Sequence, residues 1–477
     1  MDSPQVNNGE QANLETPAGV VHDLLDRHEK TSTLFWRCTA ALAVLSIIGM
    51  IGFILRILDG VSDKSIWGYY VATFAFILTT AQAAPMVAIA PRIAKAHWRR
   101  SISRAAELWS ATGILSLILF IPMIWILPGL DDGRLSLWFF DPNDPSFSKV
   151  PIHSPQIWAT LALVALIITG IFLLWVSALP DLAAMRDNLT GWRQRLATKM
   201  AFGWRGTSQQ WNMLYHRQGI LSAFYFIMLI FVHFLISVDF LLTLVPGWID
   251  ALYPATHAAN ALQAGAATML LTMFFLRKFG GYRSYIGHDQ FWGLGKLMFA
   301  LSLLWFWFWF SSFIVFWYGK KPNEQAVLEL LMVGPYLPIF IGTFVTVFVI
   351  PLLTMIWNPL RRSIWGPTII AVSVLIGTFL DRIRLYVSAY SIPGIGESLT
   401  DKKHGMDLES VKEMEAILPQ IPDIFIMIGS ISAAILIYLL VSKIVPVINI
   451  WEQREVLLYR VHKKFFRTEV MILGKKD

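Results

Sequence analysis

The sequence predicts an all-α polytopic membrane protein with about ten transmembrane helices, and three observations predict it. Of 477 residues, 56% are hydrophobic and only 15% charged; apolar segments long enough to span a bilayer recur along the chain; and Lys and Arg crowd into alternate connections between them. A soluble domain carries about a quarter charged residues. In lipid only helices and closed barrels satisfy their own backbone hydrogen bonds, and segments this long suit helices.

Residues 1–32 read as a polar tail without the basic start and apolar core of a secretory signal. A transmembrane domain follows over 33–450. The expected spans are 34–57, 66–90, 104–128, 156–180, 220–246, 256–276, 291–318, 331–355, 366–390 and 421–447. Residues 451–477 form a basic tail. One set of connections holds Arg92, Lys95, Arg99 and Arg100, then Arg186 to Arg205, then Arg277, Lys278 and Arg283, then Arg361 and Arg362. The opposite set holds few basic residues, which places both termini on the cytoplasmic side. Two longer connections on the outer side, 129–155 and 391–420, carry Asp131, Asp132, Asp141, Asp144, Glu409, Glu413 and Glu415. Two helix starts, His97 to Leu108 and His288 to Leu301, resemble each other too loosely to establish a duplication.

Several chemistries are excluded or disfavoured. The net charge of +7 sits in loops beside apolar segments, so topology explains it and no nucleic-acid partner is expected. Cys38 is the single cysteine, which rules out a disulfide framework and any iron–sulfur cluster held by this chain alone. No phosphate-binding loop, dinucleotide fingerprint or nucleophile elbow stands in a suitable setting, and no metal site is expected.

Charges inside spans are informative because each costs a few kcal/mol in lipid unless paired or facing a polar cavity. The fifth span holds His233 near its middle and Asp239 nearer its outer end; the ninth holds Asp381, Arg382 and Arg384. Asp239 and Arg382 lie at matched depths of roughly 10–12 Å from the outer end, which makes them candidate ion-pair partners. Asp381 and Arg384, three apart, can also pair on one face. His233 reads as the only deep histidine, whereas a membrane haem needs two, so none is expected. Lys296 and Lys443 near the inner ends either snorkel to the interface or serve the interior.

Five segments carry a likeness: WRRSISRAAELW at 98–109, LWVSALPDLAAMRD at 174–187, GWRGTSQQW at 203–211, FVHFLISVDF at 231–240 followed by PGW, and the run that begins HDQFWGLGKLMF at 288. On these, the chain resembles the NrfD/PsrC-like (polysulfide reductase-type) membrane subunits, closest to the ten-helix subunit of alternative complex III. The resemblance implies two inverted four-helix bundles with flanking helices in a prokaryotic plasma membrane. It also implies no redox cofactor on the chain itself, an extracytoplasmic iron–sulfur partner with a molybdoenzyme-like subunit, and a menaquinol or other quinol pocket beneath them. His233, Asp239, and the Asp381–Arg382 pair match the family's acidic, basic and histidine positions, as do His288 and Lys296. Gln82, in AQAAP, stands where the complex III version has a histidine, and Ala159 replaces an acidic residue.

The reading that follows is a subunit of a respiratory electron-transfer complex. Asp239, His233, Arg382 and Asp381 are its catalytic candidates. Gln82, Asp239 and Arg382 are the candidates for a rearranged quinol pocket, and Asp239, His233, Lys296 and His288 for a proton pathway. The alternative is a quinone-independent anchor and proton conduit, as in an organohalide-respiration assembly with hydrogenase or cytochrome subunits. A secondary transporter is a third reading.

Overall fold

A computed structural model describes residues 16–127, 154–392 and 408–458, with two further strands at 460–465 and 468–473. The expected acidic connection at 129–155 therefore lies almost wholly outside the described residues, as does the 393–407 half of the second, whose Glu409, Glu413 and Glu415 are described. Eight helices among the described residues are long and apolar enough to cross a membrane. They are α2 (Thr33–Leu58), α5 (Ser103–Ile126), α6 (Ser154–Asn188), α8 (Ser208–Leu244 with its terminal turn), α9 (Tyr253–Lys278), α10 (His288–Gly319), α11 (Leu337–Met355) and α13 (Ile421–Val441).

The two other expected spans are helical, but each is interrupted. The first comprises α3 (Gly68–Thr80) and α4 (Met86–Ile93), separated by a turn at 81–85. Pro85 has no N–H for an α-helical bond back to Ala81 and ends the regular ladder there. The second is α12 (Trp365–Arg382), which passes through a π-helical turn at Ile383–Val387 into Ser388–Ser391.

Helices α3/α4, α5, α6 and α8 form one four-helix set, and α9, α10, α11 and α12 a second. The sets meet where α9 crosses the broken helix. Gly265 makes this possible: a Cβ there would sit 2.6 Å from the carbonyl carbon of Ala83. Four antiparallel helices return the chain to the end from which it set out, so α3 and α9 start at the same end. The bond from Trp109 Nε1 to Thr272 Oγ1 (3.2 Å) joins the opposite halves accordingly. The two sets thus begin at the same end. A shared contact supports the relation. Gln82 Nε2 donates to Thr112 Oγ1 (2.8 Å) in the first set, and Gln263 Nε2 to Ser302 Oγ (2.7 Å) in the second. Each bond links the first helix of a set to the second, and each Gln lies in a short LQAG- or AQAA-like stretch.

α2 and α13 flank the sets and pack on each other. A Cβ at Gly49 would lie 2.6 Å from the Cα of Gly429, the close approach that small residues permit between membrane helices. At one end of this seam Arg56 Nη2 meets Asp423 Oδ1 at 2.6 Å, with both side chains buried.

The other end gathers α1 (Pro17–Glu29), α7 (Gly191–Met200), α14 (Ile450–Leu458) and the basic connections. Tyr285 donates to Asp23 (2.7 Å), Arg193 to the carbonyl of Glu29 (3.1 Å), and Arg99 pairs with Glu452 (2.7 Å). The first and last described helices therefore share the end that carries the positive charge. Beyond α14, residues 460–465 and 468–473 pair as an antiparallel ribbon.

Candidate functional site

The junction of the two sets holds a run of buried polar side chains. Nδ1 of His233 on α8 lies 3.0 Å from Nδ1 of His257 on α9, and Nε2 of His257 lies 3.2 Å from the hydroxyl of Tyr386. All three side chains are buried. The histidine rings touch directly, which leaves no space for a macrocycle between them.

A second strand of contacts runs beside the first. Arg382 Nη2 donates to Asn260 Oδ1, Asn260 contacts Gln263 (3.4 Å) and Thr378 (3.3 Å), and Gln263 donates onward to Ser302 and to the carbonyl of Val347 (3.0 Å). Asp381 lies between two arginines, with Arg384 at 2.7 Å and Arg382 at 3.8 Å. Arg384 also donates to the carbonyl of Leu331 (2.8 Å). The triad carries one excess positive charge out of water. Arg382 Nε and Nη1 are buried without a hydrogen-bond acceptor.

Three π-helical turns, Glu329–Val333, Val345–Val349 and Ile383–Val387, supply this network. A π turn replaces the i→i−4 bond with a longer one and leaves carbonyls available to side chains, a geometry frequent at functional sites. Leu331, Val347 and Tyr386 each belong to one of them.

Asp239 occupies a different face. His233 and Asp239 are six residues apart, about 240° around the helix axis at 3.6 residues per turn. His233 therefore meets α9 while Asp239 meets α6, where Trp158 Nε1 donates to its carboxylate at 2.7 Å. The expected pairing of Asp239 with Arg382 is replaced by two separate partnerships, Trp158 with Asp239 and Asp381 and Asn260 with Arg382.

Gln82 is farther off. Its partners are Thr112 and Tyr225, whose hydroxyl donates to the Gln82 carbonyl (2.7 Å). Tyr225 lies 14 residues before Asp239 on α8, about 21 Å along the axis. The structure does not bring Gln82 into one pocket with Asp239 and Arg382. Lys296 and His288 also stand apart from the network. Both are exposed; Lys296 Nζ sits 3.8 Å above the ring of Trp292, and His288 contacts the carbonyl of Arg362 (3.4 Å).

Beside the Asp381 triad a partly open pocket of about 50 Å³ is walled by Trp248, Trp305, Trp309 and Phe316, with Asp381 and Arg384 on its floor. This is room for a few waters. The Tyr253 hydroxyl, buried and without a partner, belongs to the same lining.

Sequence reasoning missed His257, Asn260 and Gln263. His257 is the fifth residue of α9, and a span expected to begin at 256 makes it look terminal. Asn260 and Gln263 are uncharged and escape a search for ionisable groups. Their spacing at i, i+3 and i+6 in an otherwise Ala-rich helix is the available signal.

A second buried cluster lies at the basic end. Glu107 accepts from Arg92 (2.9 Å) and Ser177 (2.5 Å); Arg104 pairs with Asp181 (3.1 Å); and Asp181 accepts from the backbone N–H of Trp451 (3.1 Å). The segments at 98–109 and 174–187 thus converge on α14. Burial pushes the Glu452 carboxyl up, but Arg99 and Arg92 outweigh that and hold it below the usual carboxylate range.

The polysulphide reductase (NrfD) family model matches residues 58–394. The chain belongs to that family. The match begins at the end of α2 and stops before α13, so it frames the two four-helix sets and leaves the flanking pair outside. No individual curated protein matches the chain. Membership makes the protein a multi-pass membrane subunit of a respiratory complex of the polysulfide- or nitrite-reductase type. Among the described residues no group of three His, Cys, Asp or Glu side chains is placed to hold a metal ion.

Proposed function

We propose that this NrfD-family subunit anchors an extracytoplasmic iron–sulfur protein with its molybdoenzyme-like partner, exchanges electrons with menaquinol or another quinol, and moves protons through the junction of its two helix sets. The observation that carries the reading is the buried chain from Tyr386 through His257 to His233 beside the Arg382 to Gln263 strand. Histidine is the side chain whose ordinary pKa suits proton exchange near neutrality. A pair sharing one N–H between facing nitrogens can pass a proton by exchanging tautomers. Asp239 lies toward the expected outer end of α8, where quinol oxidation releases protons and a carboxylate can accept one. In this reading the catalytic candidates Asp239, His233, Arg382 and Asp381 remain, the internal proton path gains His257 and Tyr386, and Lys296 and His288 serve the surface.

A specific observation favours a second reading, a quinone-independent anchor and proton conduit with hydrogenase or cytochrome partners. The pocket beside Asp381 and Arg384 is lined mainly by apolar and aromatic side chains and offers about 50 Å³, room for a few waters. Lipid extraction of the purified complex separates the two. Quinone that co-purifies, together with electron flow inhibited by a ring analogue, supports the first reading. Full activity in quinone-free membranes supports the second.

A further inference from the structure

We infer that the basic end of the second helix set holds a binding site for the headgroup of an anionic phospholipid, with one acyl chain lying along α12. Three cations from three parts of the chain meet two indole rings there. Lys278 Nζ, at the end of α9, lies 5.5 Å from the ring centre of Trp365. Arg362, three residues before Trp365, lies 5.0 Å over Trp292, and Lys296 covers the same ring at 3.8 Å. None of the three forms an ion pair with a carboxylate among the described residues. Their present partners are aromatic faces, a weak form of compensation for exposed cations. α12 begins at Trp365, so the positive end of its dipole adds to the same field. Trp292 also contributes an indole N–H with no acceptor.

An apolar track descends from this cluster. Trp365, Ile369, Val372 and Ile376 are exposed by 57%, 62%, 39% and 52% and follow one another at spacings of four, three and four. That spacing lines one face of a helix. The stripe runs for about 16 Å at 1.5 Å per residue, close to half of the roughly 30 Å hydrocarbon core. Phe275 and Phe279 on α9, exposed by 51% and 54%, flank its upper end. A cationic, indole-lined head position above a half-bilayer apolar track matches a diacyl phosphate in shape and charge. Basic pockets between helices on the cytoplasmic side favour such lipids, and a zwitterionic headgroup would set its own ammonium among three cations.

The test uses the full complex, extracted in mild detergent, delipidated, and returned to equal amounts of phosphatidylglycerol and phosphatidylcholine. Native mass spectrometry should show phosphatidylglycerol retained about tenfold over phosphatidylcholine, with the preference lost in a variant carrying Lys278→Gln, Lys296→Gln and Arg362→Gln. Equal retention of the two lipids, or a preference unchanged in the variant, overturns the inference. Amine-reactive labelling of the unmodified complex gives a readout that does not depend on the variant assembling. Lys278 and Lys296 should label in the delipidated complex and be protected by phosphatidylglycerol but not by phosphatidylcholine. Lysines that stay unreactive after delipidation are covered by another subunit, which also overturns it.

Discussion

Nδ1 of His233 and Nδ1 of His257 face each other at 3.0 Å in a buried junction, so one ring carries the proton at that nitrogen and the other accepts. Each histidine is therefore tied to a partner on another helix that a single substitution would leave unmatched. Replacing either by Leu strands a buried donor or acceptor and should cost about 1–3 kcal/mol of stability. Replacing both removes the two polar groups together, so the double variant should lose less than the sum. Thermal unfolding of the four proteins in detergent checks this, and strictly additive losses would mean that the rings do not interact.

Asp239 accepts a hydrogen bond from Trp158, and an amide oxygen can replace the carboxylate in that contact. Asp239→Asn should therefore leave assembly intact while removing the ionisable group. Proton uptake by the complete complex in proteoliposomes is expected to fall at least tenfold, with helix content and subunit recovery unchanged. Proton transfer at the original rate would take Asp239 out of the pathway.

The division of the chain into spans was readable because hydrophobic length is a one-dimensional property, and all eight long helices coincide with expected segments. The charges within spans were readable for the same reason: Asp381 with Arg384 is a local, three-residue relation and is present as expected. Partnerships between helices were not. Matched depth made Asp239 and Arg382 look like partners, but rotation about the axis decides which neighbour a side chain meets, and six residues from His233 turn Asp239 toward α6. Lys296 has a depth consistent with a pathway and an orientation that faces outward. The polar side chains that complete the junction, Asn260 and Gln263, carry no charge and so escape a search for ionisable groups, although their helix has the lowest mean hydropathy of the eight, 1.4.

Arg56 and Asp423 form a buried ion pair at 2.6 Å across the α2–α13 seam. Breaking such a pair leaves an uncompensated charge and typically costs about 3–5 kcal/mol. Arg56→Leu should strongly destabilise the seam, and so should Asp423→Leu. The double variant should recover much of the loss, because neither charge remains and the Gly49 to Gly429 contact still joins the helices. Cysteine cross-linking yield between α2 and α13, together with melting temperature, reports the outcome. A double variant no better than the worse single one would assign the pair a role beyond mutual neutralisation.

The α1 docking contact should be acid-labile. His28 is buried against the bundle, and burial, with Arg193 and Lys443 nearby, pushes its pKa down from 6.5 to about 3. The folded state thus keeps this imidazole neutral while the detached chain binds a proton below about pH 6.5. A depressed folded-state value means that the docked form holds its full advantage above 6.5 and loses it progressively as pH falls toward 3. Glu452 at the same end acts in the same direction: its carboxyl is held low by Arg99 and Arg92 despite burial, so acid weakens the α14 clamp as well. Limited proteolysis between pH 7.5 and 4.5 should show cleavage around Arg27 and Lys30 appearing below about pH 6. In His28→Leu, which cannot charge, that sensitivity should disappear over this range, because the Glu452 contribution is lost only as pH falls below the ordinary carboxyl value of 4.5. A pH profile identical in the variant and the parent would show that His28 does not control the docking of α1.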